Sequence, residues 1–149
     1  MKKKITTLAL LALIMTSSLF ASDKDNNTNT QVLTAFASKF STAKEVSWDR
    51  AQDLLKARFK MNEQYMFAYY TEDGQLVGLC RNINSSQLPL NLQVELKKIS
   101  PNSWITDLFE YASETENAYY ATIENADHQI QLKSAGYNSW SVYKRVKKN

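Results

Sequence analysis

The sequence is short of the residues on which most catalytic and metal sites depend. Its 149 residues include one histidine (His128), one cysteine (Cys80) and three glycines. These residues cannot form a metal cluster or a nucleophilic triad that is visible in the sequence, and the scattered glycines form no phosphate-binding loop. We therefore expect a protein that is not an enzyme and that requires no metal and no cofactor.

The single cysteine also excludes intrachain disulfides, although small secreted domains often depend on them. Stability must then come from packing. Cys80 ends the apolar run of residues 76–80, so a buried, inert thiol is favoured over a reactive or intermolecular one.

The remaining polar candidates fall where turns are expected. His128 follows a predicted turn, and an exposed turn position is favoured over a catalytic base. The acidic pairs Glu72 with Asp73 and Glu114 with Glu116 are also turn residues by pattern. Solvated roles are favoured there over acid–base catalysis or calcium binding.

The amino terminus has the pattern of a secretory leader. Lysines at positions 2–4 precede an apolar stretch at residues 8–14, and the small residue Ala21 follows. We predict a signal peptide of residues 1–21, because the apolar stretch is too short for a membrane anchor. No cysteine directly follows it, which argues against a lipoprotein. The mature chain is expected in the periplasm or outside the cell, with no membrane insertion after cleavage.

Removing this leader changes the charge balance. Three of the 18 Lys and Arg residues lie in it, which leaves 15 against 15 Asp and Glu. A formally neutral chain with scattered cations argues against a nucleic-acid partner. The basic residues 144–148 are interpreted as a solvated chain end in preference to a binding patch.

Residues 22–30 contain no apolar side chain and are predicted to be a disordered spacer. Residues 31–149 are predicted to form a single domain of two repeats, 31–85 and 86–149. Each repeat starts with apolar residues at the spacing of one helix face, with Thr30 as the first cap and Ser85 or Ser86 as the second. The helix-face residues are Val32, Leu33, Phe36, Ala37 and Phe40 in the first repeat, and Leu88, Leu92, Leu96 and Ile99 in the second.

Strand patterns follow each helix. Residues 66–79 align without a gap with residues 119–132, at an offset of 53. In both copies, large apolar residues around one Ala lead into an acidic turn and a second strand. The predicted fold class is α+β, a tandem repeat of one helix packed on an antiparallel sheet of about four strands.

Four short segments resemble a known family. Residues 40–48, 69–74, 88–89 and 99–101 read FSTAKEVSW, YYTEDG, LP and ISP. In this order they are similar to the beta-lactamase-inhibitor-like, PepSY-like secreted proteins of Bacteroidetes-type bacteria, over most of residues 31–134. The resemblance implies a tandem helix-plus-sheet architecture similar to the beta-lactamase inhibitor protein, which binds an enzyme through a concave sheet. No inhibitory loop motif matches named positions here, and the lone Cys80 departs from the disulfides of that inhibitor.

Aromatic residues are the best lead to a function. Eight Tyr and three Trp exceed what a small core readily hides, and both residue types supply rigid contact area. If Ala121 and Ile123 face a helix, strand alternation turns Tyr119, Met66, Ala68 and Tyr70 the same way. The opposite face then carries Thr122 and the predicted binding residues Tyr65, Phe67, Tyr69, Tyr120, Lys56, Arg58 and Lys60.

Two functions fit this face equally well from sequence. The first is a non-catalytic secreted or periplasmic protein-binding module, with an enzyme to be inhibited as one kind of partner; Gly78 would allow that partner a close approach. The second is a structural or envelope-associated protein that self-associates, with the aromatics packed inside the molecule. No residue identifies the partner.

Overall fold

The computed structural model describes residues 29–136 and 138–148. This part of the chain forms one antiparallel sheet of eight strands in sequence order, with two α-helices. Helix α1 (Thr30–Lys39) precedes β1 (Lys44–Ala51), β2 (Leu54–Met61), β3 (Gln64–Tyr70) and β4 (Leu76–Asn82). Helix α2 (Leu90–Ile99) precedes β5 (Trp104–Ala112), β6 (Asn117–Glu124), β7 (His128–Ala135) and β8 (Ser139–Lys147). The predicted helix-plus-four-strand repeat is confirmed.

Helix α1 begins one residue earlier than the predicted cap. The side chain of Asn29 accepts a hydrogen bond of 3.0 Å from the backbone N–H of Gln31, and Thr30 is already helical. An asparagine at this position satisfies an N–H that the first turn leaves without a partner. The predicted spacer of residues 22–30 therefore overlaps the start of α1 at its last two residues. The rest of that spacer and the predicted leader lie outside the described residues.

Helix α2 also begins differently from the prediction. Asn84, and neither Ser85 nor Ser86, caps a short 3-10 turn of Ser85–Gln87. The α-helix starts only after Pro89, which takes the N-cap position. The reason is local, because a residue that precedes proline is held in an extended conformation, and Leu88 has a ψ of 151°.

Equivalent elements of the two halves are about 60 residues apart. Leu90 starts α2 and Thr30 starts α1, while Trp104 starts β5 and Lys44 starts β1. The ungapped match at an offset of 53 instead aligns β3 and β4 with β6 and β7, which are not equivalent strands. Hairpins with the same alternation of apolar residues have similar sequences. The match therefore detected a real similarity between two hairpins, but it paired hairpins that do not occupy equivalent positions in the two halves.

Both helices cover the same face of the sheet, which we call the helix face. Ala68, Tyr70 and Met66 pack in the cluster that contains α1, and Ala121 and Ile123 pack in the cluster that contains α2. The predicted orientation of the strands is therefore confirmed. The four residues expected in the two cores are buried: Phe36, Phe40, Leu92 and Leu96.

Tight turns join most of the strands. Asn62 and Glu63 both have positive φ, 51° and 61°, as two-residue hairpin turns require. Gly74 has a φ of 85° in the acidic turn before β4. The turn predicted at residues 135–138 includes Tyr137, which lies outside the described residues. Neither described helix is long and apolar enough to span a membrane.

Candidate functional site

The face opposite the helices, here called the open face, brings the predicted cations and aromatics together. In the β2–β3 register, Lys56 pairs with Tyr69, Arg58 with Phe67 and Lys60 with Tyr65. Residues that pair directly in an antiparallel ladder project to the same side of the sheet. In the second half, Tyr120 pairs with Phe109, which alternates with the helix-face residue Leu108. All seven predicted site residues therefore project from the open face.

Arg58 and Tyr65 are two exposed members of this face. The guanidinium carbon of Arg58 lies 4.1 Å from the centroid of the Tyr65 ring, within the range of a cation–π contact. Tyr65 is 39% exposed. The Nζ atom of Lys56 lies 5.8 Å from the centroid of the Phe67 ring. This edge of the open face is thus an aromatic surface with cations above it.

The three cations differ in their ion pairs. Lys60 lies 2.8 Å from a carboxylate oxygen of Glu63, and Lys56 lies 3.7 Å from one of Asp49. Arg58 is exposed and makes no ion pair with a carboxylate in the described part of the chain. Its guanidinium therefore remains available to an acidic group of another molecule.

Tyr65 is held in place by Glu45. Its hydroxyl donates a short hydrogen bond to the Glu45 carboxylate, and this bond, with a smaller effect of burial, raises the pKa of Tyr65. Glu45 has a φ of 52° at the point where the β1–β2 register shifts. A bulge of this kind redirects a side chain, and here the Glu45 carboxylate meets Tyr65.

The centre of the open face is a packed cluster, here called the aromatic layer. Tyr69 is 5% and Tyr120 1% exposed, so both are buried. Phe109 stacks on Tyr120 at 5.0 Å with an interplanar angle of 11°. Tyr143 meets the same ring edge-on at 6.0 Å. The buried members of the layer are Leu54, Tyr69, Cys80, Phe109, Tyr111, Ala118 and Tyr120.

No helix of the described chain covers this layer, so its burial has to come from the sheet itself. The rings come from β3, β5, β6 and β8, and strands two apart in a flat sheet are separated by about 10 Å. We infer that the sheet curves around the layer and brings these rings together. Tyr69 and Tyr120 are therefore packed within the open face, while Tyr65 and Arg58 lie at its surface.

Gly78 allows a close approach from inside the molecule. A Cβ atom at this position would lie 2.4 Å from the ring of Tyr111. The phenol of Tyr111 thus occupies the space that a side chain would take, and its hydroxyl lies 3.5 Å from the carbonyl oxygen of Val77. The position expected to receive a partner is filled by the aromatic layer.

Cys80 lies in the same layer and is 3% exposed. Burial raises the pKa of its thiol to about 12, so the thiol stays protonated and is a poor nucleophile. The burial expected from the sequence is confirmed.

The other polar candidates lie in or beside turns. His128 was expected at an exposed turn position, but it is half-buried and is the first residue of β7, because its backbone N–H donates to the Asn125 side chain at 2.8 Å and closes the turn there. Glu72 pairs with Arg50 at 2.9 Å and Glu116 with Lys133 at 2.5 Å. Among the described residues, no group of three or more His, Cys, Asp or Glu side chains is placed to hold a metal ion.

A groove near this face could not be predicted from the sequence. A groove of about 330 Å³ lies at the junction of the two halves, beside the half-buried Asp107. Burial raises the pKa of the Asp107 carboxyl group. The groove depends on where β4 separates from β5, and no residue pattern marks that point. Its lining residues are Asn82, Ile83, Asn84, Ser85, Ile105, Thr106, Asp107 and Leu108.

The fold is similar to that of several solved Bacteroides proteins. A candidate periplasmic protein of Bacteroides eggerthii matches with a TM-score of 0.71 at 12% identity, over 80% of this chain and 88% of that one. A BLIP-like protein of Bacteroides fragilis matches with a TM-score of 0.70 at 12% identity, over 81% and 88%. A DUF2874 family protein of Bacteroides ovatus matches with a TM-score of 0.70 at 15% identity, over 79% and 86%.

These similarities confirm the predicted likeness in fold to the beta-lactamase-inhibitor-like proteins. At identities this low they show the fold alone. No family model matches the sequence, and no curated protein matches it.

Proposed function

We propose that this chain is a non-catalytic protein-binding module of the periplasm or the extracellular space, and that it binds its partner through the open face. An enzyme held in an inhibited state is the kind of partner that the likeness to a BLIP-like protein suggests. The observation that carries the proposal is the exposed Arg58 stacked on Tyr65, on a sheet face that no described helix covers.

The arrangement of this face suits recognition. Tyr and Arg are enriched among the residues that contribute most to binding energy at protein interfaces. A guanidinium held against a ring is already ordered, so less conformational entropy is lost on binding. Arg58 has no ion-pair partner among residues 29–136 and 138–148, so it can pair with an acidic side chain of the partner. The buried aromatic layer on the same face gives the surrounding sheet a packed, ordered structure.

The second function, self-association, has less support from the sheet edges. The edge strand β1 has a bulge near Glu45. The edge strand β8 has a register shift opposite Gln131 and Leu132 and carries the exposed cations Lys144, Arg145 and Lys147. Bulges and like charges on an edge oppose pairing with another copy. A concentration-dependent oligomer of the mature chain in solution would favour self-association over the proposed function.

The proposal can be tested by affinity capture from the periplasm of the source organism, followed by mass spectrometry. The baits are the wild-type mature chain and the variants Arg58→Ala and Tyr65→Ala. A retained protein that contacts the open face should bind these variants about 30-fold more weakly, which corresponds to about 2 kcal/mol. If the retained protein is an enzyme, its activity is then assayed with and without the module.

Arg145→Ala is the matched control. Arg145 is exposed and pairs with Ile130, which packs against the core under α2, so Arg145 projects from the helix face. The substitution therefore removes an arginine side chain from the opposite side of the sheet. Binding should be unchanged in this variant. Equal binding by wild type, Arg58→Ala and Tyr65→Ala would rule out the open face. Loss of activity in a folded His128→Ala variant would instead indicate an enzyme.

A further inference from the structure

The groove arises where the two halves of the sheet separate. The last pair in the β4–β5 ladder is Asn82 with Phe109, and the N–H of Ile83 still donates to the carbonyl of Leu108 at 3.0 Å. Beyond this point the chain leaves toward the 3-10 turn at Ser85–Gln87. Strand β5 continues, and its pairing with β6 reaches Trp104. The start of β5 therefore has a strand on one side and the groove on the other.

The groove opens beside the open face. Asp107 pairs with Thr122, and Phe109 pairs with Tyr120. Residues two apart on a strand project to the same side, so the Asp107 side chain projects to the side that carries the aromatic layer. A partner that lies on the open face can reach the groove without contacting either helix.

Asp107 is not paired with a cation in the part of the chain that the structure describes. No Lys, Arg or His of the described residues lies within ion-pair distance of its half-buried carboxylate. The seven ion pairs in this part of the chain involve other carboxylates. Burial without a counter-ion disfavours the charged form, and accordingly the pKa of Asp107 is raised. A cation that entered the groove would gain an ion pair in partly desolvated surroundings.

The walls of the groove suit an organic cation. Asn82, Asn84, Ser85 and Thr106 line the groove together with Asp107 and give its walls amide and hydroxyl groups. Ile105 is 41% exposed and adds apolar surface. Lysine and arginine side chains combine a charged end with an apolar stem that packs on such surface. A volume of about 330 Å³ leaves room for one such side chain.

We propose that this groove receives a lysine or arginine side chain of the protein partner, with its ammonium or guanidinium group paired to the Asp107 carboxylate. The inference rests on the proposed function, because it assumes a protein on the open face. A free amine would lose its translational freedom for a single ion pair, whereas a side chain of a docked partner has already lost that freedom. The partner therefore carries an acidic group opposite Arg58 and a basic group opposite Asp107.

The groove can be tested without the partner. The probe is Nα-acetyl-lysine N-methylamide, added to the isotope-labelled mature chain while backbone amide chemical shifts are recorded. We expect saturable changes, in the millimolar range, centred on residues 82–85 and 105–108 and reduced by added salt. Nα-acetyl-norleucine N-methylamide has the same four-carbon side chain without the charge. Its affinity should be lower by a factor of about ten or more, because it lacks the charge-assisted hydrogen bond.

Two variants complete the test. Asp107→Asn keeps the shape of the side chain and should abolish the preference for the lysine probe. Asp53→Asn is the matched control, because Asp53 is exposed in the turn between β1 and β2, and it should leave the preference unchanged. The map of shift changes in the wild-type chain decides the question even if Asp107→Asn does not fold.

Equal binding of the two probes, or shift changes away from the groove, would overturn the inference. This result would leave the open-face proposal intact, because that proposal is tested with Arg58→Ala and Tyr65→Ala. Conversely, normal partner binding by those two variants would reject the open face even if the lysine probe bound in the groove.

Discussion

The hydroxyl group of Tyr120 provides a sharp test of the packing beneath the open face. Its oxygen is buried and has no hydrogen-bond partner in the described part of the chain, and the residue is 1% exposed. A buried hydroxyl without a partner lowers stability by about 1 to 3 kcal/mol. Tyr120→Phe removes this oxygen and keeps the ring that stacks on Phe109. We expect the free energy of unfolding to increase by about 1 kcal/mol.

The measurement is urea denaturation of the purified protein comprising residues 22–149, with the slope of the transition compared between variants. An unchanged slope shows that the difference lies in stability and not in the surface exposed on unfolding. Tyr65→Phe is the matched control. The Tyr65 hydroxyl donates to Glu45 at the surface, so its removal should be neutral or lower stability by less than about 1 kcal/mol.

Tyr120→Ala removes the ring as well and should lower stability by about 3 to 5 kcal/mol. Together the two substitutions separate the hydroxyl from the ring. A loss of more than about 1 kcal/mol in Tyr120→Phe would refute the reasoning, because it would mean that the hydroxyl is satisfied in the native protein.

Three further predictions concern the core, the layer and its thiol. Phe36→Ala and Leu96→Ala should each lower the free energy of unfolding by about 2 to 5 kcal/mol in urea denaturation, and near-neutral effects would contradict the burial of both side chains. Gly78→Ala should cost about 1 to 3 kcal/mol, because its Cβ would overlap the Tyr111 ring, and the cost should shrink in a Tyr111→Leu background. Cys80 should react with a thiol reagent only after unfolding, and rapid labelling of the native chain would disprove its burial. The free energy of unfolding should fall as pH rises from about 9 to about 12, because the folded thiol keeps a proton that the unfolded thiol releases.

The sequence predicted best what depends on neighbours along the chain. On β2, Leu55, Ala57 and Phe59 are buried under α1, while Lys56 and Arg58 project to the open face. Period-two alternation alone assigned these sides correctly, because a strand turns successive side chains to opposite faces. The burial of Phe36 and Leu96 was also predicted correctly, because a helix brings residues three and four apart onto one face.

Capping residues and the spacing of the repeat were harder to predict. The prediction placed the caps on Thr30 and on Ser85 or Ser86. Asn29 caps α1 instead, Asn84 caps only the short 3-10 turn, and Pro89 takes the N-cap position of α2. Several polar residues in a row can each cap a helix, and the choice depends on where packing begins the helix. The match at an offset of 53 was one strand out of register because alternation does not distinguish one hairpin from another.

By itself, the sequence determined the fold class, the helix-plus-sheet repeat and the side of the sheet on which Tyr65, Phe67, Tyr69 and Tyr120 lie, because all three follow from local periodicity. Only the tertiary structure decided which of those aromatics are accessible. Tyr65 and Arg58 lie at the surface, whereas Tyr69 and Tyr120 lie under rings from distant strands. The groove at Asp107 likewise exists because β4 leaves β5 before β5 ends. Exposure and grooves depend on contacts between residues far apart in the chain, and local periodicity carries no information about them.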